Sequence, residues 1–251
     1  MRILNRLSST LKKYKQKKIF NKYISNIDES HPFFDFKKIN HSDCSADPKE
    51  FFSHYDSFSF WLFSKLDILG HNQKVLDLGG LKNTNGILSI YNDVNSIVLI
   101  DCEDEITKVK YFKHDVSDPL PFKSNSFDVF SSVVSLQLIG LGRYGDKINH
   151  NAIIDFVQEI ERVMKKKSHL IFSISCGSKN YLKFNEGYKF EFETIKKIFI
   201  NWDMKDYLID NNSYGTTTNF IFPRFTKDLS YLSSLEEGEH KVVFFHFSRK
   251  N

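Results

Sequence analysis

Lys74-Val75-Leu76-Asp77-Leu78-Gly79-Gly80 is the stretch on which the fold turns. Apolar residues around one acid, followed by two glycines, read as a buried strand that stops in a sharp turn. In an open parallel sheet such a turn lies at the carboxyl end of the strand, where ligands bind. Glycine there lets backbone amides approach a ligand. The acid either accepts hydrogen bonds from it or orients the loop. Taken alone, the motif also fits a plain strand-to-helix turn, so its surroundings decide.

Outward from it, strands and helices alternate. Apolar runs at 97–101, 109–113, 127–133 and 169–175 read as strands, and 205–210 and 241–247 as two more. The periodicity predicts a helix over 48–69, opened by Asp47-Pro48 and apolar along Phe51, Phe52, Tyr55, Phe58, Trp61, Leu62, Leu66 and Leu69. A second helix is predicted over 151–166, with Asn149 or Asn151 as cap and lysines suited to its end. This alternation means an α/β fold with a mostly parallel sheet and helices on both faces. The stretch 212–239 reads as a long irregular insertion. The second strand ends at Asp101, about 20 residues after the glycine turn, the interval at which an acid meets ribose hydroxyls.

The 251 residues suffice for one large domain, and 41% hydrophobic residues exclude global disorder. Residues 1–22 carry eight Lys or Arg and no acid, whereas the rest holds 27 basic against 31 acidic residues. The body is therefore not a polyanion-binding surface, and no nucleic acid partner is expected. The expected organisation is a basic N-terminal helix and linker over 1–47 and the main domain over 48–251. Packing of the basic amphipathic helix on its own domain is favoured over peripheral membrane contact. Cys44, Cys102 and Cys176 stand far apart, which argues against a zinc site or disulfide framework and for a cytoplasmic location; no metal is expected. No apolar run approaches the ~20 residues of a membrane span.

A third strand ends at His114-Asp115, followed by Asp118-Pro119-Leu120-Pro121-Phe122 and Ser126-Phe127-Asp128. This order of motifs over about residues 50–250 resembles the class I S-adenosylmethionine-dependent methyltransferases. The resemblance implies a Rossmann-like sheet of seven strands with an antiparallel last strand, and S-adenosyl-L-methionine as cofactor. It places Asp77, Gly79 and Gly80 beside the methionine moiety, Asp101 with Cys102 at the ribose, and Asp115 with Val116 at the adenine. The next glycine, Gly86, implies a longer cofactor loop than the common pattern. A nicotinamide-binding domain would need G-x-G-x-x-G, which is absent.

Ile139-Gly140-Leu141-Gly142-Arg143-Tyr144-Gly145-Asp146 reads as a tight loop beyond the fourth strand. It resembles the GLGRYGD signature of a methyltransferase-like family of unknown function found in bacterial polysaccharide gene clusters. That family reads Glu-His where this chain has Gln137-Leu138, and its N-A-H-R-x-Y motif stands here as Asn185-Glu186-Gly187-Tyr188-Lys189-Phe190. A histidine acceptor of protons is thus missing, which leaves Asp146 and His150 as candidate bases. Arg143 and Tyr144 are candidates to hold a phosphate or sugar hydroxyl, since a guanidinium binds phosphate oxygens bidentately. The same residues have structural readings: Arg143 braced on Asp146, and His150 as a helix-start residue. The expected activity is O-methylation of a sugar hydroxyl, nucleotide-linked or polymer-linked, in capsule or lipopolysaccharide synthesis. An amine or carboxylate acceptor and a degenerate partner protein are the alternatives.

Overall fold

The computed structural model describes residues 14, 17–32, 34–39, 54–210 and 225–250. The expectations for residues 1–13, for the Asp47-Pro48 helix start with Phe51 and Phe52, and for Cys44 lie outside these residues, as does 212–224 of the expected insertion.

The main sheet is built from β2 (Lys74–Leu78), β3 (Asp93–Val98), β4 (Lys110–Lys113), β5 (Phe127–Val133), β6 (Met164–Cys176), β9 (Trp202–Asp210), β10 (Phe225–Thr226) and β11 (Lys241–Arg249). Its order is β10-β9-β11-β6-β5-β2-β3-β4. β4, β3, β2, β5 and β6 run parallel, and β11 lies antiparallel between β6 and β9. The seven expected strands are present, and the two-residue β10 adds an eighth at the edge.

The inner strands are buried on both faces, with alternate residues serving two cores. Val75, Val129 and Phe244 face the cluster that holds Phe58, Trp61, Leu62 and Leu66 of α2 (His54–Leu69). Leu76, Phe130 and Phe245 face the opposite cluster, with Phe156 and Ile160 of α4 (Ala152–Val163) and Ile195 of α5 (Phe192–Ile198). This two-residue alternation explains why the strand sequences read as continuous apolar runs. Each fully buried Phe contributes about 1.5–3 kcal/mol relative to exposure.

Two local expectations are corrected. The lysines after α4 do not end a helix: the chain leaves it at Met164, and Lys165, Lys166 and Lys167 belong to the 13-residue β6. Asn151 occupies the cap position without a side-chain bond, while the Asn149 side chain accepts the Asn151 N–H at 2.9 Å.

A helix over 17–25, α1, and the strand β1 (Lys37–Ile39) precede α2. Phe20, Tyr23, Ile27 and Phe36 join the same core as Phe130 and Phe156. β1 pairs in parallel with β7 (Tyr181–Lys183), which forms a hairpin with β8 (Gly187–Lys189) above the end of β6. The described part of the basic arm is thus packed into the domain. No described helix is long and apolar enough to cross a membrane.

His246 on β11 and His169 on β6 meet across the sheet with ring nitrogens 3.0 Å apart, so one must donate and the other accept. Burial, then the neighbouring charges of His169 and Lys65, pushes His246 down to about 4. Burial, then the charge of Lys189, pushes His54 down to about 4 as well. Between pH 6.5 and 4 the unfolded chain binds protons that the folded chain refuses, so stability rises with pH across that window. Acidification from pH 7 to 4.5 is expected to lower the urea midpoint, with His54 contributing on the order of 2 kcal/mol. His54→Gln should flatten the profile; an unchanged slope would remove His54 from the account.

Candidate functional site

The order of the sheet places its switch point between β2 and β5, with connections leaving in opposite directions. Ligands of open α/β sheets bind outside the carboxyl ends at such a point. Asp77, near the end of β2, is 4% exposed and holds this region together. Its carboxylate accepts from Asn85 Nδ2 at 2.7 Å, the Ser96 hydroxyl at 2.8 Å, the Ser131 hydroxyl at 3.0 Å and the Gly80 N–H at 3.1 Å. One side chain therefore ties β2 to β3, to β5, to the glycine turn and to α3 (Lys82–Leu88). Only an ionised carboxylate offers about four acceptor positions and no donor. Burial nevertheless raises its pKa, and the four bonds work against that rise.

Gly79 and Gly80 have φ of +114° and +66°. A Cβ on Gly79 would stand 2.2 Å from the Ser135 hydroxyl oxygen, and one on Gly80 2.7 Å from Val98 Cγ1. The turn is thus pressed between the ends of β3 and β5 in a conformation that L side chains avoid. The expected long loop is corrected here: α3 begins at Lys82, so Gly86 lies inside the helix and the turn is only Gly79-Gly80-Leu81. Beside it, Val134 adopts φ +44°, a strained value for a β-branched residue, as the chain leaves β5.

Asp101 stands three residues beyond β3, 81% exposed at its side chain, and pairs with Lys113 at the end of β4 at 2.5 Å. Cys102 is a half-buried free thiol next to it. At the end of β4, Asp115 accepts the Ser117 N–H at 2.9 Å and the Lys147 N–H at 2.8 Å. Burial alone would raise the Asp115 carboxyl; these amides and the Lys147 charge outweigh it and hold it below the usual range. Val116 is buried. The Leu120-Pro121-Phe122 segment is clamped to α4: the Leu120 N–H reaches Glu159 at 2.6 Å, and Arg162 donates to the carbonyls of Phe122 and Leu120 at 2.7 and 2.9 Å.

The glycine-rich loop closes on itself through a bridge between Leu141 and Ile148. Asp146 accepts the N–H groups of Gly142 and Tyr144, both at 3.1 Å, so its carboxylate braces the backbone on either side of Arg143. Arg143 lies over the Tyr144 ring, 5.0 Å from guanidinium carbon to centroid. No ion pair joins Arg143 to Asp146 among the described residues, which corrects the structural reading of that pair. The Lys147–Asp115 bond fastens this loop to the end of β4, beside the switch point. His150 donates from Nε2 to the Tyr23 carbonyl at 2.9 Å and stacks on the Tyr23 ring at 4.7 Å. His31 bonds the His150 carbonyl in turn. His150 thus pins α1 to the loop.

The sequence reading missed the hairpin. Gln137, in the short 3₁₀ turn Leu136–Leu138, accepts the Ser175 N–H at 2.7 Å and donates to the Glu186 carbonyl at 3.2 Å. A carboxamide has both a donor and an acceptor, which a glutamate there would lack. Around it, Lys189 donates to the Glu186 carbonyl at 3.0 Å, and the Glu186 carboxylate meets Lys183 at 3.3 Å, His240 at 3.6 Å and Lys189 at 3.7 Å. Burial, then the charges of Lys189 and Lys183, holds His240 neutral. Gln137, Glu186 and His240 are far apart in the chain and carry no spacing that a sequence pattern could expose.

The donor set fits a nucleoside cofactor. The side-chain-free turn lets a ligand approach the backbone, Asp101 offers an exposed carboxylate for hydroxyls, and the buried Asn85 Oδ1 under the turn has no hydrogen-bond partner in the protein. No family model and no curated protein matches the chain. Solved structures do. One is the 1,6-didemethyltoxoflavin-N1-methyltransferase of Burkholderia thailandensis, with bound 1,6-didemethyltoxoflavin and S-adenosylhomocysteine (TM-score 0.55, 10% identity, 79% of each chain covered). Another is the N-methyltransferase NodS of Bradyrhizobium japonicum in complex with S-adenosylhomocysteine (TM-score 0.53, 10% identity, 83% of this chain and 94% of that one). The [4+2]-cyclase SpnF is similar to the same degree (TM-score 0.53, 11% identity, 77% and 81%). A cyclase on this architecture separates fold from reaction. The chain has the Rossmann-like methyltransferase fold.

Proposed function

We propose that the protein is an S-adenosylmethionine-dependent methyltransferase acting in the cytoplasm on a sugar hydroxyl, nucleotide-linked or polymer-linked, in capsule or lipopolysaccharide synthesis. The observation that carries the donor half is the Asp77-centred tie of the Gly79-Gly80 turn at the switch point, with acids at the ends of the next two strands. Gly79 and Gly80 would hold the methionine end, Asp101 and Cys102 the ribose, and Asp115 with Val116 the adenine. When bound, the cofactor supplies a methyl group already activated for displacement. The protein's task is then to hold the acceptor in line at about 3 Å. Asp146 serves that task by fixing the backbone around Arg143 and Tyr144, the acceptor-binding pair. His150 serves it by holding α1 against the loop. Both are positioning residues in this reading, because the Asp146 oxygens and His150 Nε2 are engaged with backbone.

That engagement also favours a second reading: an amine or carboxylate acceptor, which needs less help from a base than a hydroxyl does. Radiolabelled S-adenosylmethionine incubated with a panel of nucleotide sugars tests the choice. Transfer to a nucleotide sugar is expected. A blank panel alongside transfer to amines or carboxylates would replace the acceptor.

A further inference from the structure

A cleft opens between α1, the glycine-rich loop and the β7–β8 hairpin. Ile19, Phe20 and Tyr23 line one side, Leu141 and Arg143 a second, and Lys183, Phe184, Asn185 and Gly187 the third. Its enclosed volume is about 30 Å³, room for one or two waters, so a larger ligand would lie across its open mouth. Two features distinguish it from a packing defect. Its walls bring together cations from separate elements, Arg143 and Lys183, opposite aromatic rings. Asn185, at the tip of the hairpin with φ +62°, keeps its side-chain oxygen buried without a protein partner.

The cations are differently placed. No described carboxylate pairs with Arg143, whose guanidinium face lies on Tyr144 and whose edges stay available for bidentate bonding. Lys183 meets Glu186 at 3.3 Å, but that carboxylate is shared with Lys189 and His240. Apolar rings beside such cations suit a ligand with a sugar face and a phosphate. A purely apolar ligand would leave the charges buried unpaired. The site also sits where an acceptor has to be: the loop follows β5 and the hairpin follows β6, on the carboxyl edge of the sheet.

We infer that this cleft is the acceptor subsite and that it recognises a sugar phosphate, with Arg143 and Lys183 gripping the phosphate and α1 forming its outer wall. The inference rests on the methyltransferase reading for what is done to the sugar, but not for the binding itself. The full chain would be titrated by calorimetry with UDP-glucose, glucose 1-phosphate and glucose. Binding of the two phosphorylated probes, with glucose inert, is expected. Arg143→Ala and Lys183→Gln should each weaken it tenfold or more, with thermal midpoints held within a few degrees. Lys196→Ala, which removes an exposed cation on α5, should leave it unchanged. Equal binding by all variants, or no binding of either phosphorylated probe, would overturn the inference. So would binding confined to phosphatidylglycerol vesicles, which would make the cations a membrane contact. S-adenosylhomocysteine titrated into the same samples keeps the two readings apart: sugar phosphate binding without it fails the donor half alone.

Discussion

Asp77→Ala is expected to destabilise the fold by about 3 kcal/mol, a fall of roughly 6–12 °C in thermal midpoint for a chain of this size. Two of its four partners can adapt, because the Ser96 and Ser131 hydroxyls rotate. The Gly80 N–H cannot, and Asn85, whose Oδ1 already lacks a partner, would keep only the 3.4 Å contact of its Nδ2 with Ser96. Each buried group left unmet costs about 1–3 kcal/mol. Asp77→Asn separates stability from function. It relieves the burial of a charge that raises the Asp77 pKa, so less stability should be lost than in Asp77→Ala. It also turns a donor toward donors, so the glycine turn should lose its fixed position and donor affinity should fall at least tenfold. If Asp77→Ala melted like the wild type, Asp77 would not be the tie described.

Gly79→Ala should be nearly as damaging, by about 2–4 kcal/mol, for two separable reasons. The backbone at φ +114° is strained for any L side chain, and the new methyl would meet the Ser135 hydroxyl. Ser135 would have to swing away and give up its 3.0 Å bond to the Val133 carbonyl. The double variant Gly79→Ala/Ser135→Gly should recover the steric share but not the backbone share. A cycle of thermal or urea unfolding measures that coupling, expected at 0.5–2 kcal/mol by the usual range for touching residues, about the size of one lost contact. Zero coupling would mean the turn and the end of β5 do not touch.

The proposed donor half of the site was legible because it is local. β2 and β5 are buried on both faces and keep the limits read from sequence, Lys74–Leu78 and Phe127–Val133. β3 was read about four residues late. Its start, Asp93-Val94-Asn95-Ser96, is polar in composition yet buried from Val94 onward, since Asn95 bonds Asp93 and Ser96 bonds Asp77. Such partners are invisible to hydrophobic periodicity. β1, β7 and β8 are three residues each, too short to show a period. The proposed acceptor side was legible only as a string of glycines. What Asp146 and His150 do depends on which backbone groups the fold brings to them. The Gln137–Glu186 bond spans 49 residues, and Lys189 owes its 1% exposure to a hairpin whose two strands have three residues each.

The most direct test of the central claim, a donor cofactor at the switch point, is calorimetric titration of the folded chain with S-adenosylmethionine and S-adenosylhomocysteine, repeated on Asp101→Ala. Asp101 is largely exposed and its one described side-chain partner is Lys113, so its removal should leave the fold intact. Micromolar binding by the wild type, weakened tenfold or more in Asp101→Ala, is the expected result; tenfold is about 1.4 kcal/mol of binding energy. No binding of either ligand by a demonstrably folded wild type would contradict the claim and leave the fold as a scaffold without its donor.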